Sequence, residues 1–421
     1  MISKENKLNI DTRPVTKELL KEYGIILFIS TVMGRNSGNG GHYRSLLSYY
    51  EQLKNVSGDV SIAHYNEMDS SVLDDKAENL LSGIKGTNDF IKKANRLLSK
   101  NKTDVVISFG ESLQSRMLRY FCWKHGAKFI QVIAGGPNRF LPMNFINCIY
   151  YSSENMNNPR DFTPNKFLLT NRIDTFPVNH KLIAQLEKAY PKKGYNLLRV
   201  SRICEAYVET FVATINLHKL CKQKGVDIQT HLIGHIQDEN AFNTIKEKIE
   251  GLQDIHLITD KKFTDETKKL MEYYNVAVGI GRGFGEAASK RLLVFGYSSI
   301  CEYPIIINEE NYEQLRSANF SPRSRVDGRF GVHNHLNIFE MAPKLQENNR
   351  AFTYSKFVGD YNASQLPSKL SNILESSKEE KLTSILLSLF FITFSEIGHR
   401  TDYFFQRLGF SLDIKRRLFI K

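Results

Sequence analysis

The chain is short of cysteine, of long apolar runs and of repetitive tracts, and each shortage removes a class of protein. Its five cysteines, Cys122, Cys148, Cys204, Cys221 and Cys301, are odd in number, scattered, and never form a Cys-x-x-Cys pair. That pattern argues against a disulfide framework and a cysteine zinc site, and it reads as reduced, mostly buried thiols. The longest apolar run, Leu382 to Phe394, falls short of the roughly 20 residues that cross a bilayer, so it reads as a buried or interfacial helix. Met1 to Thr16 is polar and charged, without the apolar core of a signal peptide, and the expected location is the cytoplasm. No solenoid period or low-complexity segment is visible. No Walker lysine, Gly-x-Ser-x-Gly elbow or kinase signature appears, which counts against hydrolase and kinase chemistry. His333 and His335 stand two apart without nearby cysteine or paired carboxylates, so no metal is expected.

What is present is an ordinary globular composition with a basic excess. Hydrophobic residues make up 41% and charged residues 24%, so the chain should fold throughout, and 421 residues suit two domains better than one core. The net charge of +12 attracts phosphates of nucleotides, nucleic acids or lipid headgroups. It is spread over helices and forms no stripe interleaved with aromatics, which speaks against nucleic acid. The apolar run Gly24 to Ser30 reads as a strand covered on both faces, followed by a glycine loop and a helix over Tyr43 to Lys54. Strands at Val60–His64, Asp104–Ser108 and Lys128–Ile133 alternate with helices at Asn88–Ser99 and Ser112–His125, which implies a parallel, doubly wound sheet. A proline-marked break follows, and a second strand–helix series begins at Asn196 and runs through a helix at Asp265–Glu272 to a strand at Asn275–Val278. The expected division is a first domain over 1–175, a linker over 176–193, a second domain over 194–360 and returning helices over 361–421.

The most informative segment is 276–291, where a strand runs into four alternating glycines, Gly279, Gly281, Gly283 and Gly285, and a helix is expected to start near Glu286. Backbone amides freed by the glycines, a helix N-terminus and Arg282 make a diphosphate cradle, and Glu286 can accept from ribose or sugar hydroxyls. The plain alternative is a tight turn with Glu286 capping the helix. The run Gly281-Arg282-Gly283-Phe284-Gly285-Glu286-Ala287-Ala288 resembles the donor motif of family 4 retaining glycosyltransferases. The glutamate that family carries eight residues earlier is Val278 here.

Two further islands fit the resemblance in the same order. Leu198 to Ile203 is similar to the family's first strand of the donor domain, which makes Arg202 the diphosphate candidate, with Arg199 or Arg282 as support. Ser201 stands in place of the family's glycine, and Tyr207 in place of its lysine. Gly38 to Arg44 is similar to the loop that faces the cleft from the first domain, which implicates Gly40, Gly41, His42 and Arg44. Glu111, after the strand ending near Ser108, is a candidate base or acceptor contact, and Ala134 to Arg139 a second cleft lip.

The resemblance implies a GT-B architecture: two Rossmann-like domains facing a cleft, with C-terminal helices crossing back to the first. It implies a hexosyltransferase of the retaining kind that moves a sugar from a nucleotide-sugar to a saccharide or lipid-linked saccharide in surface polysaccharide synthesis, with no metal or other cofactor. Lys415 to Lys421 and Tyr403 to Phe405 could touch an anionic membrane, which would make the protein peripheral. The alternatives are a sugar-nucleotide 2-epimerase or a non-catalytic glycan- or nucleotide-binding protein of the same fold.

Overall fold

The computed structural model describes residues 18–30, 41–65, 70, 72–73, 76–80, 87–100, 102–110, 112–134, 145–159, 161–326 and 343–386. The first half contains α1 (Glu18–Lys21), β1 (Gly24–Ser30), α2 (Gly41–Lys54), β2 (Asp59–Tyr65), β3 (Ala77–Asn79) and α3 (Thr87–Lys100). It continues through β4 (Val105–Phe109), α4 (Leu113–His125), β5 (Lys128–Ile133), β6 (Asn147–Tyr150), α5 (Ser153–Met156) and β7 (Asn165–Leu168). The second half comprises α6 (His180–Ala189), β8 (Tyr195–Val200), α7 (Val208–Gln223), β9 (Ile228–Ile233), α8 (Glu239–Ile249), β10 (Ile255–Ile258) and α9 (Lys261–Thr264). After these come β11 (Val276–Val278), α10 (Arg282–Ser289), β12 (Leu293–Gly296), β13 (Ile305–Ile306), α11 (Tyr312–Ser317), α12 (Pro343–Lys356) and α13 (Leu366–Ser376).

An apolar strand has two faces to bury, and β1, buried at every residue, sits inside a seven-stranded sheet ordered β3-β2-β1-β4-β5-β6-β7. All its pairings are parallel. The second sheet, ordered β10-β9-β8-β11-β12-β13, repeats the plan and ends in one antiparallel strand. Strand order reverses at β1/β4 in one sheet and at β8/β11 in the other. In open α/β sheets ligands collect outside the carboxyl ends of the strands at those two places.

The chain passes between the sheets twice, and the two passages hold each other. Ile173 N–H donates to the Tyr361 carbonyl (2.8 Å), and Ala363 N–H donates to the Ile173 carbonyl (3.0 Å). Arg172, buried beside them, donates from Nε to the Thr170 carbonyl (3.0 Å). After the second passage, α13 buries Leu366, Leu370 and Leu374 in the apolar cluster of β1, β4 and α2. Lys128 Nζ caps its end at the Leu374 carbonyl (2.8 Å), and beyond it Glu380 pairs with the buried Arg119 (2.7 Å). The C-terminal part therefore crosses back to the first domain, as the resemblance implies.

The expected helix over 265–272 does not form; two short 3-10 turns, Thr267–Lys269 and Met271–Tyr273, stand there instead. Leu270, Met271, Tyr273 and Tyr274 are all buried, more than one face of an α-helix can present. Thr267 Oγ1 also donates to the Phe263 carbonyl (2.7 Å), a local bond that competes with helix continuation. Among the described residues, no helix is long and apolar enough to cross a membrane. Residues 135–144, His333, His335, Tyr403 to Phe405 and Lys415 to Lys421 lie outside the described residues, as does the apolar run beyond residue 386.

Candidate functional site

The glycine-rich segment lies at the carboxyl end of β11, next to β8, where the second sheet reverses order. Its glycines serve different ends. A Cβ on Gly279 would fall 2.7 Å from the Phe284 backbone nitrogen, so only glycine lets the helix fold back so tightly on the strand. Gly281 adopts φ +54° at the N-cap. A Cβ on Gly285 would lie 2.9 Å from Ile173 Cδ1, so that position seats the helix against the first passage between domains. Around Gly283 a Cβ would meet nothing within 4 Å. Steric demand explains three of the four glycines and leaves Gly283 without a packing reason.

Helix α10 begins at Arg282, four residues before the expected start, so Glu286 stands in its second turn and not its first. The cause is the tight turn at Gly279–Gly281, which completes the chain reversal early enough for Gly283 N–H to bond the Ile280 carbonyl (2.9 Å). The N-cap has no side-chain hydrogen bond, and the first turn has no acidic residue. An arginine at the positive end of a helix opposes the macrodipole. Its charge is balanced by Glu286 one turn on (Nε to Oε1, 3.6 Å) and by donation from Nη1 to the Arg172 carbonyl (2.8 Å) and Ser45 Oγ (3.4 Å). Arg282 thus joins the second domain to the passage and to α2.

Through that contact two segments distant in sequence become neighbours: a Cβ on Gly41 would lie 3.9 Å from Arg282 Cδ. Between α2 and α10 opens a cleft of about 400 Å³ lined by Arg44, Ser48, Glu51, Asp174, Phe176, Lys268, Arg282 and Glu286, with Leu47 and Val72. Its carboxylates are engaged: Glu286 by Arg282, Glu51 by Lys76 (2.6 Å), and Asp174 by Ser48 Oγ (2.5 Å) and Gln52 Nε2 (3.1 Å). The Lys268 ammonium sits 3.4 Å above the Phe176 ring centre. Burial, and after it Arg44, push Lys268 down to about 8, with Glu286 pulling the other way.

The structure brings Arg44, Arg282 and Glu286 together on this cleft, with Gly41 beside Arg282; Gly281 lies against Asn319, and His42 lies half-buried in the first turn of α2. Gly40 and Glu111 lie outside the described residues. Arg202 is exposed just past β8, donates to Gln237 Oε1 (3.3 Å), lies over the Tyr207 ring and does not line the cleft. Arg199 is not brought there. It is 1% exposed, its guanidinium donates to Thr210 Oγ1 (2.8 Å) and lies over Phe211, and burial pushes it down to about 10. Its alternation along β8 turns it inward, so it stitches α7 to the sheet. Val278, at the position of the family's other glutamate, is a buried strand residue in an apolar cluster.

Several neighbours were not legible in the sequence. Lys268 and Phe176 reach the cleft only through tertiary packing. Asn319 and Phe320 hold left-handed backbone (φ +54° and +51°) beside Gly281, and Phe320 stacks on Phe284 (4.1 Å). Among the described residues no group of three or more histidine, cysteine or acidic side chains is placed to hold a metal.

No protein-family model and no curated protein match the chain. Solved structures do. A glycosyltransferase from Rickettsia africae superposes with a TM-score of 0.59 at 14% identity, over 84% of this chain and 98% of that one. HepE from Anabaena, solved with UDP and glucose, gives 0.56 at 11% identity, over 83% and 99%. A UDP-GlcNAc 2-epimerase from Neisseria meningitidis, bound to UDP-GlcNAc, gives 0.50 at 13% identity, over 84% and 100%. What the chain shares with these proteins at such low identity is the fold: α/β, of the GT-B type, with two Rossmann-like domains facing a cleft and a C-terminal return to the first.

Proposed function

We propose that the protein is a glycosyltransferase that takes a sugar from a nucleotide-sugar bound at α10. The observation that carries this reading is the start of that helix. An arginine and an uncapped, glycine-lined N-terminus meet at the order reversal of the second sheet, beside Gly283, which packing leaves open. Such a terminus stabilises an anion through its amides and its dipole, and a diphosphate also offsets the unfavourable placing of Arg282. As the glycosidic bond breaks, negative charge grows on the leaving diphosphate. In this reading the preorganised amides and Arg282 stabilise it, with Arg202 as the further diphosphate candidate, and such stabilisation is usually the largest catalytic contribution. In this reading those groups, and no metal, carry the leaving group's charge, and Glu286 accepts from sugar or ribose hydroxyls.

The first domain, through α2 and the loop before it, takes the acceptor, a saccharide or lipid-linked saccharide of surface polysaccharide assembly. Transfer of a hexose with retention follows from the family resemblance, and a lipid-linked acceptor would bring the protein to the inner face of a membrane. The fold shared with a 2-epimerase supplies the second reading. Incubating the protein with UDP- and GDP-sugars separates the two. Nucleoside diphosphate release that depends on a saccharide acceptor is expected. Conversion of the nucleotide-sugar alone to its C2 epimer would replace the proposal.

A further inference from the structure

The wall of the cleft between α2 and Lys268 is built differently from the donor end. Among the described residues neither Arg44 nor Lys268 makes an ion pair, while Glu51 pairs with Lys76, Glu286 with Arg282, and Asp174 accepts from Ser48 and Gln52. The two cations come from opposite domains: Arg44 from α2 of the first, Lys268 from the 3-10 turn Thr267–Lys269 of the second. Like charges facing each other across a domain boundary, in a partly desolvated cleft, repel more strongly than on an open surface. Phe176 holds the Lys268 ammonium over its ring, where it cannot swing freely into water. Such an arrangement lowers the stability of the empty cleft and is relieved by one negative group between the cations.

We propose that Arg44 and Lys268 form the seat of an anionic group, a phosphate or a carboxylate, on the acceptor. The inference rests on the glycosyltransferase reading for the word acceptor; the anion seat itself does not. The donor's diphosphate belongs to the α10 N-terminus, whereas this wall is carried by the acceptor domain's helix. An anion bridging the two cations draws the domains together, so acceptor binding and cleft closure are coupled.

Protonation gives the seat a signature. Lys268 is held down to about 8 by burial, Arg44 and Arg282, against Glu286 and Glu266; an anion raises it again. Binding that needs the protonated amine is therefore close to full at pH 7, about half at pH 8 and down by on the order of tenfold at pH 9. Asp174 and Glu51 are the other charged groups of the wall.

The test is isothermal titration of the full chain with inorganic phosphate and, separately, acetate at constant ionic strength, with and without saturating UDP plus GDP. The pH comparison uses sulfate, whose charge is constant between pH 7 and 9. One of the anions is expected to bind in the presence of nucleotide, and which one binds tells phosphate from carboxylate. Arg44→Gln and Lys268→Gln should each weaken it fivefold or more, and sulfate should bind more weakly at pH 9. Competition with nucleotide, equal affinity in both variants, or no binding of any anion overturns the proposal. If anions bind through Arg44 and Lys268 but no nucleotide binds at all, the seat stands and the donor reading falls.

Discussion

Gly283 separates packing from function at a single residue. The other three glycines of its segment are held by a close contact or a left-handed φ, but a methyl group at 283 meets nothing within 4 Å. Gly283→Ala should therefore leave the fold intact and raise stability by up to about 1 kcal/mol, since glycine within a helix is the weaker former. If the loop lies against a diphosphate, the same methyl group should reduce nucleotide affinity tenfold or more. Thermal melts and nucleotide titrations of one variant report both, and unchanged affinity would remove Gly283 from the site. The sequence pattern pointed to Arg282 and Glu286, which line the cleft, because glycines at alternate positions next to charged residues are legible without a structure. It could not tell that Arg199 turns inward, since both faces of a doubly covered strand are buried. Lys268 was invisible for the opposite reason: Thr267-Lys268-Lys269 reads as a solvated turn until Phe176 and Arg44 are folded onto it.

Elements were legible where one physical cause dominates. β1 begins and ends where its apolar run does, Gly24–Ser30, because a strand buried at every residue must be apolar on both faces. Elements shaped by tertiary contact were not. Helix α10 starts early because Gly279 permits the reversal, and 265–272 breaks into 3-10 turns because too many of its neighbours must be buried. β9 and β10 also carry a histidine pair whose cost appears only in the fold. His231, 1% exposed, contacts Tyr274 Oη (2.9 Å) and faces His256 at 5.5 Å. Burial and then His256 push His231 down to about 3, while the unfolded chain takes its proton near pH 6.5. The folded pKa is the lower one, so this stability is present above pH 6.5 and is lost as pH falls, by about 1.4 kcal/mol per pH unit. From His231 alone, urea unfolding should show a loss of about 2 kcal/mol between pH 7 and pH 5. His231→Gln should flatten that dependence; an unchanged slope would mean the acid loss arises elsewhere.

At the scale of the whole molecule, two similar sheets, a double passage and a C-terminal return were implied by the resemblance, and they position one cleft. Legibility here came from order: strand, glycine loop and helix occur in both halves, and each sheet reverses at the strand that precedes a loop. What the order of motifs could not give is how the halves meet. That is decided by Arg282 on the Arg172 carbonyl, by Ile173 paired with Tyr361 and Ala363, and by Arg119 closing on Glu380. The central claim is that this cleft binds a nucleotide-sugar at α10. Thermal melting of the wild-type chain and Glu286→Ala with UDP, GDP, CMP and their sugar conjugates tests it most directly. A ligand at a hundred times its Kd adds about 2.7 kcal/mol to stability, well within the reach of a melt. One nucleotide should stabilise both proteins, and its sugar conjugate should add a further shift only in the wild type. Melting temperatures unmoved by every nucleotide, or an identical response in Glu286→Ala, would contradict that claim.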